Sequence, residues 1–211
     1  MSYADKEKWE QRYHAGAYQE RTQPSVFLTE CLPRIQQAQQ SRIENPAVLR
    51  ALDIACGAGR NALYLARQGY QVDAVDISTE ALRRGRMSAE QAGLSGITWI
   101  EQDLEQGLPA GCDSYDLIIM LRYLDLSLLQ SATALLREGG YLLAEVHLRS
   151  DEAVVGPSGT RFRAAAGELK AVADALSISI YREEITQDPD GNKVALARLL
   201  ARNEPVTSPT R

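Results

Sequence analysis

The sequence lacks the features that mark several large classes of protein. No apolar run approaches the ~20 residues that a membrane-spanning helix needs. The opening segment, MSYADKEKWEQRY, is polar and charged, unlike a secretory signal peptide. Basic residues are not in excess, because the formal net charge at pH 7 is −5. This balance provides no electrostatic footprint for nucleic acid or an anionic membrane, so we expect neither partner.

Cysteine is scarce as well. Cys31, Cys56 and Cys112 lie in unrelated contexts, and no pair has the spacing of metal ligands. We interpret them as reduced thiols in a cytoplasmic protein and expect no bound metal. Apolar residues, in contrast, make up 45% of the 211 residues. That share is enough to build the core of a single domain.

Apolar strand patterns alternate with helical patterns along most of the chain. Strands are predicted at residues 48–56, 70–78, 97–103, 115–121 and 140–148. The helices predicted between and after them cover 61–69, Ser78 to Gly93, Leu126 to Arg137 before Gly139 and Gly140, and the apolar stripe from Leu169 to Leu176.

The end of the chain breaks this alternation. Two strand patterns, 177–185 and 193–201, are joined by TQDPDGN, which predicts a hairpin rather than a helical crossover. We therefore predict an α/β fold: a Rossmann-like, doubly wound, mostly parallel seven-stranded sheet with a final antiparallel hairpin and helices on both faces. We expect one domain over residues 1–202, with its core at 46–202, and a loose tail at 203–211.

A glycine motif, DIACGAGRN, follows the first strand. Gly57 and Gly59 would let the backbone approach a ligand where a Cβ would collide, although a plain strand-to-helix turn also favours glycine. Asp76 ends the second strand, where an acid can accept both hydroxyls of a ribose. Asp103 ends the third, where an acid can meet an adenine amino group. Because ligands of such sheets lie beyond the carboxyl ends of the strands, these residues favour a nucleoside site.

The motif also indicates which nucleoside. A dinucleotide fingerprint has a third glycine, G-x-G-x-x-G, but here Ala62 follows Arg60 and Asn61. Asp53 would repel a pyrophosphate and would suit a cationic amino group. S-adenosylmethionine (SAM) combines an ammonium, a sulfonium, a ribose and an adenine, so it fits these residues.

The segment ALDIACGAGRNALYLARQGYQVDAVDIS resembles the cofactor-binding half of class I SAM-dependent methyltransferases, and CDSYDLIIM and LLREGGYLL resemble the fourth and fifth strands of that fold. More narrowly, KWEQRYHAGAY, PSVFL and FRAAAGELKAV resemble the small-molecule group that includes tellurite-resistance and thiopurine methyltransferases. This resemblance spans nearly the whole chain. It departs from the group at Ala55, where many members have glycine, and in the final hairpin, which has no histidine.

The resemblance implies cofactor-binding roles for single residues. It also implies that residues 1–45 form a helical lid over the cofactor. The implied contacts are Asp53, Gly57 and Gly59 at the methionine end, with Ala55 and Asn61 in the same motif; Asp76 at the ribose, with Ile77 beside the adenine; Asp103 and Leu104 around the adenine; Leu121 and Arg122 under the sulfonium; and Trp9, Arg12 and Tyr13 on the N-terminal helix.

The candidates on the acceptor side are fewer. His147 ends the fifth strand, where it could take a proton from a thiol or amine, and Arg122 is a second catalytic candidate; a hydrogen-bonded structural histidine is the alternative. Tyr123, Arg161 and Arg163 are candidate substrate contacts. The two arginines lie in a Gly/Pro-rich loop that could hold an anion, and solvated loop arginines are the alternative.

The predicted function is transfer of a methyl group from SAM to a small nucleophile, such as a thiol or a chalcogen oxyanion, by in-line displacement. The product would be S-adenosyl-L-homocysteine (SAH), and the protein a monomer or homodimer. A nicotinamide-dependent oxidoreductase is one alternative, against which the missing third glycine and the final hairpin argue. A non-catalytic SAM-binding module is the other, and the sequence leaves it open.

Overall fold

Two helices precede the sheet. The computed structural model describes residues 3–40 and 48–204, and within them α1 (Tyr3–His14) and α2 (Val26–Gln40) come first. Residues 1–2 and 41–45 of the predicted lid, 46–47 of the predicted core and 205–211 of the predicted tail lie outside the described residues. No helix in the described parts of the chain is both long enough and apolar enough to cross a bilayer.

The described residues form one seven-stranded sheet in the order β3-β2-β1-β4-β5-β7-β6. Strands β1 to β5 are parallel, and β7 is antiparallel to both of its neighbours. The predicted fold class is therefore confirmed. The elements are β1 (Arg50–Ile54), α3 (Arg60–Arg67), β2 (Gln71–Asp76), α4 (Thr79–Gln91), β3 (Ile97–Glu101), β4 (Tyr115–Leu121), α5 (Leu126–Ala132), β5 (Leu136–His147), α6 (Glu168–Ala171), β6 (Ser177–Gln187) and β7 (Lys193–Arg202).

Both faces of the sheet are covered. Side chains alternate between the faces along each strand, so that Leu52 and Ile118 pack with α5 and α6. Ala51 and Leu117 pack on the opposite face with α2, α3 and α4. Burial on two faces explains why the central strands are continuous apolar runs. Because helices cover both faces, a ligand would bind at the carboxyl ends of the strands.

One predicted helix is too long. The helix expected from Leu126 to Arg137 ends at Ala132 and, after a 3₁₀ turn, gives way to β5 at Leu136. Gly139 and Gly140 therefore lie inside a strand, in an irregular stretch where β5 slips in register against β4. A Cβ at Gly140 would lie 2.9 Å from the carbonyl oxygens of Tyr115 and Arg137. The two glycines thus shape a bulge instead of ending a helix.

A second predicted helix, near the end of the chain, is also too long. The helix expected along Leu169–Leu176 is a single short turn, α6, although Leu169 and Ala173 are buried as the apolar stripe requires. Asn203, the first residue of the predicted tail, is attached to the sheet. Asn203 still exchanges backbone hydrogen bonds with the bulge, accepting from the N–H of Gly139 and donating to the carbonyl of Gly140.

Candidate cofactor and acceptor site

The strand order reverses between β1 and β4, and the backbone is strained beside both strand ends. Ala55, directly after β1, has φ 58°, and Arg122, directly after β4, has φ 66°. Both values are in the left-handed region, which costs a non-glycine residue about 1–3 kcal/mol. Such strain persists where the surrounding structure requires it, and it concentrates at functional sites. The two residues therefore mark this edge as the candidate site.

The two glycines of the motif have different neighbours. Gly57 has φ 58°, and a Cβ built on it would lie 2.5 Å from the hydroxyl of Tyr13. A Cβ on Gly59 would lie 2.2 Å from the ring of Trp99, and that ring also lies 2.5 Å from a Cβ built on Gly85 of α4. We expected both glycines to leave room for a ligand. At Gly59 the room is filled by Trp99, a packing partner on β3 that the sequence did not reveal.

An acidic pair lies at the ends of β1 and β2. Asp76 is buried, and its carboxylate accepts hydrogen bonds from the backbone N–H of Gly57 at 2.8 Å and of Ser78 at 2.9 Å. Burial raises the pKa of Asp76, while these N–H groups lower it. Asp53 is 1% exposed, and among the described residues its Oδ2 has no hydrogen-bond partner. Burial and the charge of Asp76 raise the pKa of Asp53 to about 8.

These surroundings assign the charge within the pair. Backbone donors stabilise the ionised form of a carboxylate, so Asp76 is the better place for the negative charge. Asp53 carries a proton until a cation arrives. A ligand with an ammonium group beside Asp53 would supply the missing partner of Oδ2 and restore its charge.

The predicted adenine contacts lie beside this pair. Ile77 and Leu104 are buried directly after β2 and near the end of β3. The Asp103 carboxylate accepts a hydrogen bond from the backbone N–H of Glu105 at 3.0 Å, which caps a 3₁₀ turn. The structure thus brings the three residues to the same edge as Asp76, and their contact with adenine stays a prediction.

Helix α1 lies across the site and packs on α4. The Glu10 carboxylate accepts hydrogen bonds from the backbone N–H of Thr79 and Glu80, the first residues of α4. Lys6 pairs with Glu101 at 2.6 Å on the neighbouring strand. Glu10 therefore satisfies the free donors of a helix from another element, in the manner of an N-cap. No local pattern in the sequence indicates that role, because its partners are about seventy residues away.

The aromatic residues of α1 face the same edge. Tyr13 is buried against Gly57, and burial together with the charge of Asp76 raises its pKa. Trp9 is partly buried one turn away, with ring centroids 6.4 Å apart. Arg12 is exposed and lies over the Trp9 ring at 5.0 Å. The arrangement suits the predicted lid, whose function stays a prediction.

Arginines surround the other half of the edge, beyond β1 and β4. Arg122 donates from its backbone N–H to the carbonyl of Glu145 at 2.7 Å and from Nε to the Glu145 carboxylate at 2.6 Å. The second oxygen of that carboxylate accepts from Arg198 Nε at 2.7 Å. Glu145 is 2% exposed, so this is a buried ionic triad. It holds Arg122 in its strained conformation beside Leu121, which is also buried.

Arg60 and Asn61 begin α3 and attach the segment before α2. Arg60 Nη1 donates to the carbonyl of Gln23 at 3.0 Å, and the Asn61 side-chain oxygen accepts from the N–H of Ser25 at 2.9 Å. Burial lowers the pKa of Arg60, and the charges of Arg122 and Arg21 lower it further. The amide oxygen of Asn61, a predicted cofactor contact, is thus engaged with the protein backbone.

His147 ends β5 beside this group of arginines. Its Nδ1 is buried without a hydrogen-bond partner among the described residues, and it lies 2.8 Å from where a Cβ on Gly156 would be. Burial and the charges of Arg122 and Arg163 lower its pKa to about 4. The imidazole is therefore neutral at pH 7. Because Nδ1 has no hydrogen-bond partner among the described residues, neither the catalytic nor the structural role of His147 is decided, and both stay predictions.

The predicted substrate contacts lie in or beside the loop after β5. Arg163 donates to the carbonyls of Pro157, Leu148 and Val155 and so fastens that loop. Arg161 is exposed and lies over the Phe162 ring at 4.4 Å. Tyr123 is partly buried and packs against the core. The bonds of Arg163 support a structural role, and substrate contact by these three residues stays a prediction.

Comparison with known proteins identifies the part of the chain that carries this edge. Residues 51–140 match a family model described as a methyltransferase domain. The matched residues make up less than half of the chain. The match contains the acidic pair, the motif around Gly57, and Arg122. Helix α1 and His147 lie outside it.

Curated relatives match the same region. Over 98 residues the chain is 33% identical to the ubiquinone biosynthesis O-methyltransferase of Vibrio cholerae, covering 44% of this chain and 40% of that protein. Over 101 residues it is 34% identical to the protein of that name from Actinobacillus pleuropneumoniae, covering 44% of this chain and 43% of that one. The chain thus spans about two fifths of the length of these relatives.

Solved structures match more of the methyltransferase fold. TehB from Haemophilus influenzae superposes with a TM-score of 0.65 and 24% identity, covering 82% of this chain and 62% of that one. A SAM-dependent methyltransferase from Methanosarcina mazei gives a TM-score of 0.60 and 19% identity, covering 79% and 96%. At these identities the likeness concerns the fold. With the match of residues 51–140 to a methyltransferase domain, it confirms the predicted resemblance to class I SAM-dependent methyltransferases at the level of the fold.

Proposed function

We propose that the protein transfers a methyl group from SAM to a small-molecule nucleophile and releases SAH. The observation that carries this proposal is the acidic pair, in which Asp53 has a buried oxygen without a partner among the described residues, beside the glycine motif. A cationic nucleoside would satisfy that oxygen, whereas the negative charge of Asp76 would repel a dinucleotide pyrophosphate. The domain match over residues 51–140 supports the same conclusion.

The residues present fit the cofactor. Asp53 would pair with the ammonium, Gly57 would face the methionine part, and Asp76 would receive the ribose hydroxyls. When bound, SAM supplies a methyl group on a sulfonium that is already activated as a leaving group. The protein has to orient the acceptor and exclude water from the site. Tyr13 and Trp9 on α1 would exclude that water, because they already cover the motif.

The acceptor class follows from the basicity available at the edge. His147 is neutral, but a pKa of about 4 makes it a weak base toward a hydroxyl. This favours a nucleophile that is ionised without help, such as a thiolate or a chalcogen oxyanion. The relatives are named for O-methylation in ubiquinone biosynthesis, so a hydroxyl acceptor is the second candidate. It would require His147 Nδ1 to become accessible to the substrate.

Binding and turnover test the proposal separately. Calorimetry should detect SAM and SAH but not NADH. Losing a charge-assisted hydrogen bond costs ~1.5–3 kcal/mol, so Asp76→Ala should weaken SAM binding roughly tenfold or more. Asp174→Asn, at an exposed position of the turn after α6, is the control. Binding of NADH, or unchanged SAM affinity in Asp76→Ala, would contradict the assignment.

Turnover distinguishes an enzyme from a binding module. SAM consumption should be screened with thiols, selenite, tellurite, halides, small amines and phenols. Methylation of a thiol or chalcogen oxyanion is the expected result. Methylation of phenols alone would favour the hydroxyl candidate, and SAM binding without turnover of any acceptor would favour the non-catalytic module. Sedimentation of the same samples would decide between monomer and homodimer.

A further inference from the structure

Charge is divided unequally along the ligand edge of the sheet. Asp53 and Asp76 lie at the ends of β1 and β2, which are neighbours. Arg122 follows β4, on the other side of β1, and Arg60 begins the helix that leaves β1. The chain as a whole is acidic, with a formal net charge of −5. A concentration of positive charge at this place is therefore a local feature of the edge.

Among the described residues, the buried carboxylate on the arginine side is that of Glu145, and it is already shared. Glu145 accepts one hydrogen bond from Arg122 and one from Arg198, so a single negative charge faces two positive ones. Arg198 has a second acidic partner in Glu184, at 2.8 Å and more exposed. Arg122 has none beyond Glu145 in the described part of the chain, where its side-chain hydrogen bonds come from Nε alone. Its two terminal amino groups are left for another acceptor.

The positive charge of Arg60 is compensated less than that of Arg122. In the described part of the chain it forms no ion pair, and Nη1 donates to a backbone carbonyl, that of Gln23. It lies near enough to Arg122 and Arg21 for their charges to lower its pKa. Arg21 is itself paired with Asp190 on the hairpin at 2.6 Å. The charges of Glu145 and Asp53 raise the pKa of Arg60, but neither carboxylate forms an ion pair with it in the described part of the chain. A partly buried guanidinium without a direct ion pair is costly unless a ligand supplies one.

We propose that Arg60 and the terminal amino groups of Arg122 form an anion-binding subsite, which takes a carboxylate or oxyanion group of the methyl acceptor. This inference rests on the proposed function. Guanidinium groups bind such planar anions through two parallel hydrogen bonds, which also fixes their orientation. The subsite lies on the β4 and β5 side of β1, whereas the cofactor's cationic and ribose groups belong with the acids on the β1 and β2 side. An anionic acceptor held there would lie near His147, which ends β5 close to Arg122.

The carboxylate that Arg60 and Arg122 bind could also be that of the methionine part of the cofactor, since the arginines would bind either carboxylate through the same hydrogen bonds. The two sources predict different losses. If the arginines serve the acceptor, Arg60→Gln leaves SAH affinity within about twofold. If they serve the cofactor, the same substitution weakens SAH by about tenfold or more.

The probes are acetate and benzoate, with acetamide and benzamide as neutral partners, titrated at low chloride into SAH-saturated protein. Calorimetry or ligand-observed NMR should show that the carboxylates bind at least about tenfold more tightly than their amides. Arg60→Gln should abolish that preference. Arg67→Gln, at the exposed end of the same helix, removes the same charge and should retain it. Arg60→Lys keeps the charge but not the paired N–H donors of the guanidinium, so its preference for carboxylates should lie between those of the two Gln variants.

Three results would overturn the proposal. Equal binding of carboxylates and amides would show that no anion is preferred. An unchanged preference in Arg60→Gln would place the anion elsewhere. A tenfold loss of SAH affinity in that variant would show that the arginines bind the carboxylate of the cofactor instead. Failure of the unsubstituted protein to bind SAH is a different result, because it would overturn the proposed function itself.

Discussion

Asp53→Asn is expected to stabilise the protein without cofactor and at the same time to weaken cofactor binding. Asparagine keeps the shape of the side chain but cannot ionise. The buried oxygen of Asp53 has no hydrogen-bond partner in the described structure, and burial raises its pKa to about 8. In the unfolded chain the same carboxyl has a pKa of about 3.9. Between these values, folding requires uptake of a proton.

The sign and size of the effect follow from that difference. A raised folded-state pKa contributes stability that is complete below about pH 4 and is lost as the pH rises through about 8. Each pH step in this interval lowers the free energy of unfolding by about 1.4 kcal/mol. At pH 7 the penalty is therefore at most about 4 kcal/mol, and at pH 5 about 1.5 kcal/mol. Asp53→Asn removes the penalty, so its gain should increase with pH.

Urea unfolding of the protein and of Asp53→Asn, from pH 5 to pH 8 without cofactor, measures this gain directly. Calorimetry with SAM should show that the same variant binds at least about tenfold more weakly, because the ammonium loses a charged partner. Asp174→Asn, at an exposed carboxyl, should change neither quantity. The reasoning is refuted if the stability difference is independent of pH, or if the variant is less stable at pH 8 than at pH 5 relative to the parent protein.

Three further predictions concern the glycines and the lid. Gly57→Val should fold yet lose SAM binding, because its side chain would occupy the space predicted for the ligand, next to the Tyr13 hydroxyl; normal SAM affinity in calorimetry would reduce Gly57 to a turn residue. Gly59→Ala should lower the free energy of unfolding by about 1–3 kcal/mol, because its Cβ would meet the Trp99 ring. Unchanged urea unfolding would contradict that contact. Residues 1–20 should be more sensitive to protease without SAM than with it, and their deletion should leave a folded core with much weaker activity. Equal protection in both states together with full activity after deletion would make α1 a packing element only.

Local patterns predicted the elements of the fold, and they failed where tertiary contacts outweighed them. Apolar periodicity located the strands that the structure contains, and Ser78 caps α4 as its sequence position suggested. Gly139 and Gly140 were interpreted as helix stops. They instead fit a bulge between β5 and β4, where close carbonyl oxygens leave no room for a Cβ. A glycine pair looks the same in both settings, since only the neighbouring strand distinguishes them.

The candidate site shows the same division. Asp53, Gly57 and Asp76 were predicted from strand ends, because parallel strands bring their carboxyl ends to one edge. Glu10, Glu145 and the pairing of Gly59 with Trp99 could not be, because each depends on a partner far along the chain.

The sequence by itself determined the fold class, the cofactor chemistry and the order of the acids along the edge. These follow from the period of apolar residues and from which residues end successive strands, and both are local properties of the chain. Only the tertiary structure decided which charges are compensated. Asp53 has a buried, unpartnered oxygen while Asp76 is held by backbone donors. Arg60 has no ion-pair partner among the described residues, whereas Arg122 shares Glu145 with Arg198. Charge compensation depends on distances of a few ångströms between groups from different strands, and folding alone brings those groups together.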